Sequence, residues 1–172
     1  MLKAGYTSCA EFHYLHHQPD GKNYANPAEM SKRLIGAASV SGIAMTLLPV
    51  LYCSAGFGKK CVDPEQQRFA NSADQYLRLL ENCKSAISDN PLIQLGVAPH
   101  SLRAVPGHIL HEVLQSWPDQ RCPVHIHIAE QPAEVEDCRA FHGARPVEWL
   151  LEQFPADRRW CLVHATFMSE YE

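Results

Sequence analysis

Short apolar runs alternate with segments of helical pattern along the whole chain. The apolar runs predict five β-strands, at residues 5–12, 43–51, 92–98, 123–129 and 160–165. The segments between them predict five helices, at residues 26–41, 72–88, 106–117, 132–141 and 146–154. Strands that alternate with helices in this way are typical of a parallel sheet covered on both faces and joined by right-handed crossovers.

Two of the predicted helices begin with recognisable end signals. Asn26, followed three residues later by Glu29, predicts an N-cap for the first helix. Ser72 and Gln75 have the spacing of a capping box, which predicts the start of the second helix. Residues 52–71, between the second predicted strand and the second predicted helix, form a long loop, and loops of that length are usually functional or disordered.

Polar side chains gather where the predicted strands end. The first strand ends among Glu11, His13, Tyr14, His16 and His17, the second at Tyr52, the third among His100, Ser101 and Arg103, the fourth among His125, His127 and Glu130, and the fifth at His164 and Thr166. Seven of the ten histidines therefore lie at strand ends, which in a parallel barrel all open onto the face that holds the active site.

The fold class follows from this placement and from two missing motifs. Neither G-x-G-x-x-G nor G-x-x-x-x-G-K follows a strand, so the commonest motifs of doubly wound sheets do not occur. The sequence predicts an α/β fold that is part of a TIM-type (β/α)8 barrel, with about five parallel strands and covering helices. The 172 residues suit a single domain.

Composition narrows the classes of partner and compartment. Apolar residues make up 46% of the chain, charged residues 20%, and the net charge is -4, which is typical of a soluble globular protein. Without a basic patch we expect no nucleic-acid partner, and no apolar run is long enough to predict a membrane span. Seven cysteines without a C-x-x-C pair favour reduced thiols in a cytoplasmic protein.

His125 and His127 carry the strongest prediction of metal chemistry. Side chains alternate along a strand, so both histidines face one side while the isoleucines between and after them face the other. An imidazole at a barrel mouth is a good zinc or iron ligand. Glu130, three residues past His127, lies near enough to move protons without binding the metal. Alternatively, or in addition, the negative charge of Glu130 stabilises the N-terminus of the helix that begins at Pro132, through the helix dipole.

Two further side chains at the same predicted rim have two interpretations each. Arg103 suits a bidentate grip on a carboxylate, or is a solvated loop charge. Tyr14 either donates a hydrogen bond to a substrate or packs. The histidines at residues 13–17 cannot all point inward, and the sequence does not separate them.

The motifs of the strand ends resemble the bacterial formimidoylglutamate deiminases of the amidohydrolase superfamily over essentially the whole chain. The matching stretches are AEFHYLHH at 10–17, LLPVLY at 47–52, PHSLRAV at 99–105, PVHIHIAEQ at 123–131, GARPVEW at 143–149 and RWCLVHAT at 159–166. The resemblance implies hydrolysis of N-formimidoyl-L-glutamate to N-formyl-L-glutamate and ammonia in histidine breakdown. It also implies a small-molecule substrate, one divalent metal, most often zinc, and a homodimer for the full-length enzyme.

Individual roles carried over from the resemblance fall on six residues. His127 matches the metal ligand of the fifth barrel strand, Glu130 the proton shuttle, and His164 the sixth-strand histidine that contacts substrate or water. Three others match residues that hold the substrate, namely His100, Arg103 and Tyr14, with Arg103 on a carboxylate.

The sequence also departs from that family. The family's first-strand His-x-His metal pair, its eighth-strand Asp ligand and its β-domain have no counterpart here, so we expect a segment that covers barrel strands two to six. With His127 as one clear ligand, we expect neither tight zinc binding nor turnover from this chain alone. Two rivals remain: a sister deaminase or chlorohydrolase acting on a purine or triazine, and a non-catalytic remnant.

Overall fold

A computed structural model describes residues 1–58, 61–88, 90–119 and 121–172. Its elements in chain order are β1 (Ser8–His13), α1 (Glu29–Ser41), β2 (Ala44–Leu51), α2 (Ala73–Ile87), β3 (Ile93–Leu95), β4 (Ala98–Pro99), α3 (Gly107–Ser116), β5 (Val124–Ile128), α4 (Pro132–His142), α5 (Pro146–Gln153) and β6 (Trp160–His164). The predicted alternation of strands and helices is confirmed.

All the strand pairs are parallel and follow the order of the chain. β2 pairs with β1 on one side and with β3 and β4 on the other, and β5 pairs with β6. Hydrogen bonds join the two groups, because Val97 N donates to Pro123 O and His125 N donates to Val97 O, both at 2.9 Å. The carboxyl ends of all the strands therefore face the same edge, as predicted for a mixed α/β fold with parallel strands.

The third predicted strand, at residues 92–98, is wrong in one respect, because the structure divides it into β3 and β4. The break lies at Gly96, where an added Cβ would stand 2.4 Å from Leu48 Cδ2. Beyond the break, His125 N and His127 N, two residues apart on β5, donate to Val97 O and His100 O, which are three residues apart. The extra residue is a bulge. It brings His100 O to 2.9 Å from His127 N, at the exit of both strands.

The core lies between the sheet and its helices. Five successive residues of β2, Leu47–Leu51, are buried, as expected for a parallel strand covered on both faces. β5 alternates instead, with Val124, Ile126 and Ile128 buried and His125 and His127 half-buried. This confirms that the two histidines face away from the apolar core.

Helix starts agree with the sequence at one site and differ at another. Ser72 Oγ accepts a hydrogen bond from Gln75 N, and Gln75 Oε1 accepts one from Ser72 N, which confirms the capping box of α2. The predicted Asn26 cap is wrong, since α1 begins three residues later with Ala28 as its N-cap. Asn26 Oδ1 instead accepts from Ala28 N at 2.8 Å, forming an Asx turn that leads into the helix.

Two other predictions concern the cysteines and a possible membrane span. All seven cysteines carry free thiols. Within the residues that the structure describes, no helix combines the length and the apolar character that a membrane crossing requires.

Tyr76 ties α2 to the sheet by two buried hydrogen bonds. Its hydroxyl donates to Pro49 O at 2.7 Å and accepts from Ala98 N at 3.0 Å, and the side chain is fully buried. Tyr76→Phe leaves a carbonyl and an amide without these partners, so we expect a loss of roughly 1–3 kcal/mol in the free energy of unfolding. Urea denaturation would measure it, with the exposed Tyr171→Phe as control. Equal stability of the two variants would contradict the expectation.

Candidate active site

Four predicted side chains meet at the carboxyl ends of β4, β5 and β6. The His127 ring lies 5.2 Å from the His100 ring and 5.5 Å from the His164 ring, measured between centroids. Glu130 Oε1 lies 3.6 Å from His164 Nε2. The structure therefore brings together His100, His127, Glu130 and His164, which sequence reasoning placed on one rim.

His127 is held in an orientation that suits metal binding. Its Nδ1 lies 3.2 Å from His100 O, which leaves Nε2 for another partner. A hydrogen bond from one ring nitrogen to a carbonyl is the usual way in which proteins orient a ligating imidazole. Burial lowers the pKa of His127, and the bond to His100 O opposes that shift only in part. The imidazole is therefore neutral at neutral pH, as a metal ligand must be.

His127 does not belong to a metal-binding group of side chains within the described ranges. Searching residues 1–58, 61–88, 90–119 and 121–172 gives no group of three His, Cys, Asp or Glu side chains arranged to hold a metal ion. His125 faces the same side one step earlier on β5, but its ring packs edge-on against Phe12 at 5.9 Å. The residues present fit a single ligand to a metal.

His100 is a half-buried, neutral imidazole. Burial, together with smaller contributions from the charges of His127 and Arg103, lowers its pKa to about 4. Its Nδ1 lies 2.9 Å from Ser101 Oγ, so the second ring nitrogen is left to face the site. A neutral ring fixed in this way offers a hydrogen bond to a bound molecule without adding a charge.

Aromatic rings form one wall of the site. Tyr14 and Tyr52 both stand edge-on to His100, at 5.9 Å and 4.9 Å, and both pack against Phe69. Phe12 lies 4.6 Å from His127. Burial raises the pKa of Tyr14, and the charge of Glu130 raises it further, so the hydroxyl stays protonated and remains a donor.

Sequence reasoning did not assign a role to Tyr52, although the signal was present. Tyr52 directly follows the second predicted strand, so the rule that placed the histidines on the rim also applies to it. In the structure its hydroxyl accepts a hydrogen bond from Gln66 Nε2 at 2.9 Å. Burial raises the pKa of Tyr52, against the opposing charge of Arg103. Tyr52 therefore packs against His100 and lies close enough to Arg103 to respond to its charge.

Arg103 lies in the loop after β4 and lines a cavity of ≈ 570 Å³. Other lining residues are Cys53, Phe57, Leu102, Ile109 and Phe141. Among the side chains that the structure describes, no carboxylate pairs with the Arg103 guanidinium. A half-buried Arg beside an apolar cavity and without an internal acid is suited to an anionic group supplied from outside.

The histidines that follow β1 have structural positions. His16 Nε2 bonds to Val50 O at 2.9 Å, and His17 Nε2 bonds to Ala70 O at 2.8 Å. Burial lowers the pKa of His13 to about 4 and that of His16 to about 3. Both rings are therefore neutral. All three histidines are buried, so burial does not separate them.

Comparison with known proteins places this geometry in a family. The chain is 52% identical over all of its 172 residues to formimidoylglutamate deiminase of Pseudomonas aeruginosa, and covers 38% of that protein. A crystal structure of an amidohydrolase from Brucella melitensis superposes with a TM-score of 0.95 and 50% identity, over 99% of this chain and 38% of the other.

A more distant structure shares the fold. It is an adenosine deaminase from Xanthomonas campestris with bound zinc, with a TM-score of 0.73 and 23% identity, over 99% of this chain and 33% of the other. The chain thus spans 33% to 38% of the length of these three proteins. The amidohydrolase family profile matches residues 1–172, so the chain belongs to the amidohydrolase family.

Proposed function

We propose that the protein to which these residues contribute hydrolyses N-formimidoyl-L-glutamate to N-formyl-L-glutamate and ammonia. The observation that carries the proposal is the meeting of His127, Glu130 and His164, with Arg103 near the adjacent His100 and without an internal acid among the described residues. The relative from Pseudomonas aeruginosa, identical at 52% of positions, supports this choice among hydrolytic deaminations.

The proposed setting is one domain, residues 1–172, that forms part of a TIM-type (β/α)8 barrel. Parallel strands in chain order and the superposition on the Brucella melitensis amidohydrolase support it. The other barrel strands would lie outside these residues. We also propose a homodimeric, cytoplasmic enzyme with a small-molecule substrate, as the resemblance implies.

His127 is the residue that would hold a metal, through the Nε2 that its bond to His100 O leaves available. A divalent ion, most readily zinc, supplies Lewis-acid polarisation and makes water more acidic when bound. The zinc in the Xanthomonas campestris structure supports the choice of ion.

Glu130 and His164 are suited to moving protons during hydrolysis. As water adds to the imino carbon, the C–O bond forms and the C=N electron pair moves to nitrogen. Glu130 would take one proton from the attacking water and pass it to that nitrogen, which becomes an amino group. It would then move the proton of the new hydroxyl to the same nitrogen, which leaves as ammonia as the C–N bond breaks and the formyl C=O bond forms. His164 Nε2, 3.6 Å from Glu130 Oε1, would hold the water or the amidine in place.

The substrate's glutamate part would be held on the opposite side of His127. Arg103 would pair with a carboxylate, and His100 and Tyr14 would donate or accept hydrogen bonds as neutral groups. Because His100 and Tyr14 are neutral, no negative charge on them competes with the substrate carboxylate for the guanidinium.

A purine or triazine substrate is the second candidate, and the aromatic wall of Phe12, Tyr14 and Tyr52 is the observation that favours it. Flat rings stack well on such walls. Arg103 weighs against this candidate, because an uncharged heterocycle leaves its charge unpaired.

An assay enzyme would decide between the two. In it, this chain replaces the matching segment of the Pseudomonas aeruginosa deiminase, to which it is 52% identical. We expect ammonia release from N-formimidoyl-L-glutamate, no ammonia release from adenosine and no chloride release from a chlorotriazine. Release from adenosine or the triazine alone would move the assignment to the second candidate. The unmodified relative serves as the positive control.

The 172-residue chain by itself is expected to hold zinc weakly and to show no turnover. Catalytic zinc sites use about three protein ligands, and His127 is the one that the described residues supply. Metal analysis after dialysis would show well under one equivalent. One equivalent that is lost in His127→Ala but kept in the exposed control His108→Ala would contradict this expectation.

A further inference from the structure

Glu134, in the first turn of α4, is a buried carboxylate that no role assigned so far explains. Its side chain is 7% exposed. Oε1 accepts a hydrogen bond from Ala129 N at 3.2 Å, and Oε2 accepts one from Glu130 N at 2.9 Å. Both oxygens are therefore directed at the turn that follows β5.

This arrangement differs from ordinary helix capping. In a capping box the third helix residue bonds to the backbone N–H of the N-cap, which in α4 is Gln131. Glu134 is that third residue, but its carboxylate reaches past Gln131 to the two preceding residues. The contact therefore serves the turn that presents Glu130 as well as the start of the helix.

The turn needs such support because its backbone is strained. Ala129 has φ 50°, in the left-handed region that residues other than glycine rarely adopt. It is also completely buried. Backbone in this region persists where surrounding contacts over-determine it, and such residues cluster at active sites. Two hydrogen bonds to one fixed anion supply that determination.

Ala129 also connects the turn to the exit of β6. Its carbonyl accepts hydrogen bonds from Thr166 N at 3.1 Å and Phe167 N at 3.0 Å. Ala165 N, next to His164, donates to Ile128 O at 2.9 Å. The backbone that carries Glu130 and the backbone that carries His164 are thus hydrogen-bonded to each other through Ala129.

We propose that Glu134 is a positioning residue, whose carboxylate fixes the turn bearing Glu130 and, through Ala129, the β6 exit bearing His164. For Glu130 and His164 as reacting groups, the proposal rests on the proposed function. The positioning itself rests on the contacts of the buried carboxylate alone, so an experiment can contradict the proposed function without contradicting the positioning role, and the reverse.

The first test measures amide exchange in the 172-residue chain, which needs no catalysis. Glu134→Gln keeps the shape but replaces one acceptor oxygen by a donor that faces an N–H group. We expect the amides of Ala129 and Glu130 to exchange about tenfold faster or more, in line with the loss of a charge-assisted hydrogen bond. The matched control is Glu136→Gln, an exposed residue of the same helix. Unchanged exchange at both amides would overturn the proposal.

The second test measures kinetics in the assay enzyme. If Glu134 positions the reacting groups, Glu134→Gln should lower kcat on the order of ten- to hundredfold at nearly constant KM, because small misplacements reduce rate more than binding. Glu134→Asp, which keeps the charge, should recover part of kcat and remains informative if the Gln variant folds poorly. A kcat that falls only with the folded fraction, or stays within about twofold, would overturn the role in turnover. An inactive parent enzyme would count against the proposed function, and amide exchange would still decide the positioning.

Discussion

Replacing Glu130 by Gln in the assay enzyme is expected to lower kcat by about a hundredfold or more while zinc content stays unchanged. The amide has the size and shape of the carboxylate but neither takes nor releases a proton at neutral pH. Hydrolysis of an amidine needs both steps, since water must lose a proton and the departing nitrogen must gain one. Glu130 Oε1 lies 3.6 Å from His164 Nε2, and in the proposed mechanism this one carboxylate would serve both steps.

This prediction is specific because kcat should fall while the zinc content stays the same. His127, the residue assigned to the metal, is oriented by His100 O and not by Glu130, so the ion should remain bound. Kinetics with N-formimidoyl-L-glutamate and zinc analysis of the same preparation would measure both quantities. Glu136→Gln, on the exposed face of α4, is the control and should keep the parent rate. A Glu130→Gln enzyme with a near-normal kcat would remove the proton-transfer role.

The parts of the fold that local sequence determines were predicted well. The alternation of His and Ile in β5 fixes which side chains face the core, because a strand repeats every two residues. The capping box at Ser72 and Gln75 is a contact between residues three apart, so its pattern is visible in the sequence.

The errors arise where distant residues decide. The third predicted strand divides at Gly96, next to Leu48 of another strand, and its two parts pair with separate stretches of β2. Asn26 has the chemistry of an N-cap, but it bonds to Ala28 N in a turn and the helix starts later. In both cases, tertiary packing overrides a signal that is sound locally.

The candidate site shows the same division. The strand-end rule brought His100, His127 and His164 together because parallel strands share an exit face. It did not separate His16 from them, because its inward bond to Val50 O depends on how the chain after β1 turns. Glu134 was missed because a helical Glu has many solvent-exposed uses, and only the structure shows that it is buried.

Arg103→Ala is expected to weaken the grip on the substrate selectively, and the change should fall mainly on KM. A buried carboxylate needs a charge-assisted partner, and a guanidinium supplies two parallel hydrogen bonds. Removing it leaves the substrate's charge unpaired, at a cost of roughly 2–5 kcal/mol in kcat/KM. The loss belongs to KM if the grip is equally strong in the ground state and the transition state.

The choice of substrate makes this prediction specific to the carboxylate. A small formamidine without carboxylates should react with Arg103→Ala nearly as with the parent enzyme, because it has no charge for the guanidinium to pair. Arg103→Lys should recover part of the affinity, since an ammonium keeps the charge but lacks the bidentate geometry. Arg158→Ala, at an exposed position, controls for the general loss of a positive charge.

Equal losses for the formimidoyl amino acid and the small formamidine would make Arg103 a structural residue. Its position argues against that outcome, because no carboxylate of the described chain pairs with it and it lines a cavity of ≈ 570 Å³. Its charge also acts on two neighbours: it adds to the effect of burial in lowering the pKa of His100, and it opposes the effect of burial in raising the pKa of Tyr52. A substrate carboxylate bound there would offset this charge, which ties the selectivity for an anionic amidine to the same corner of the site that holds the neutral His100.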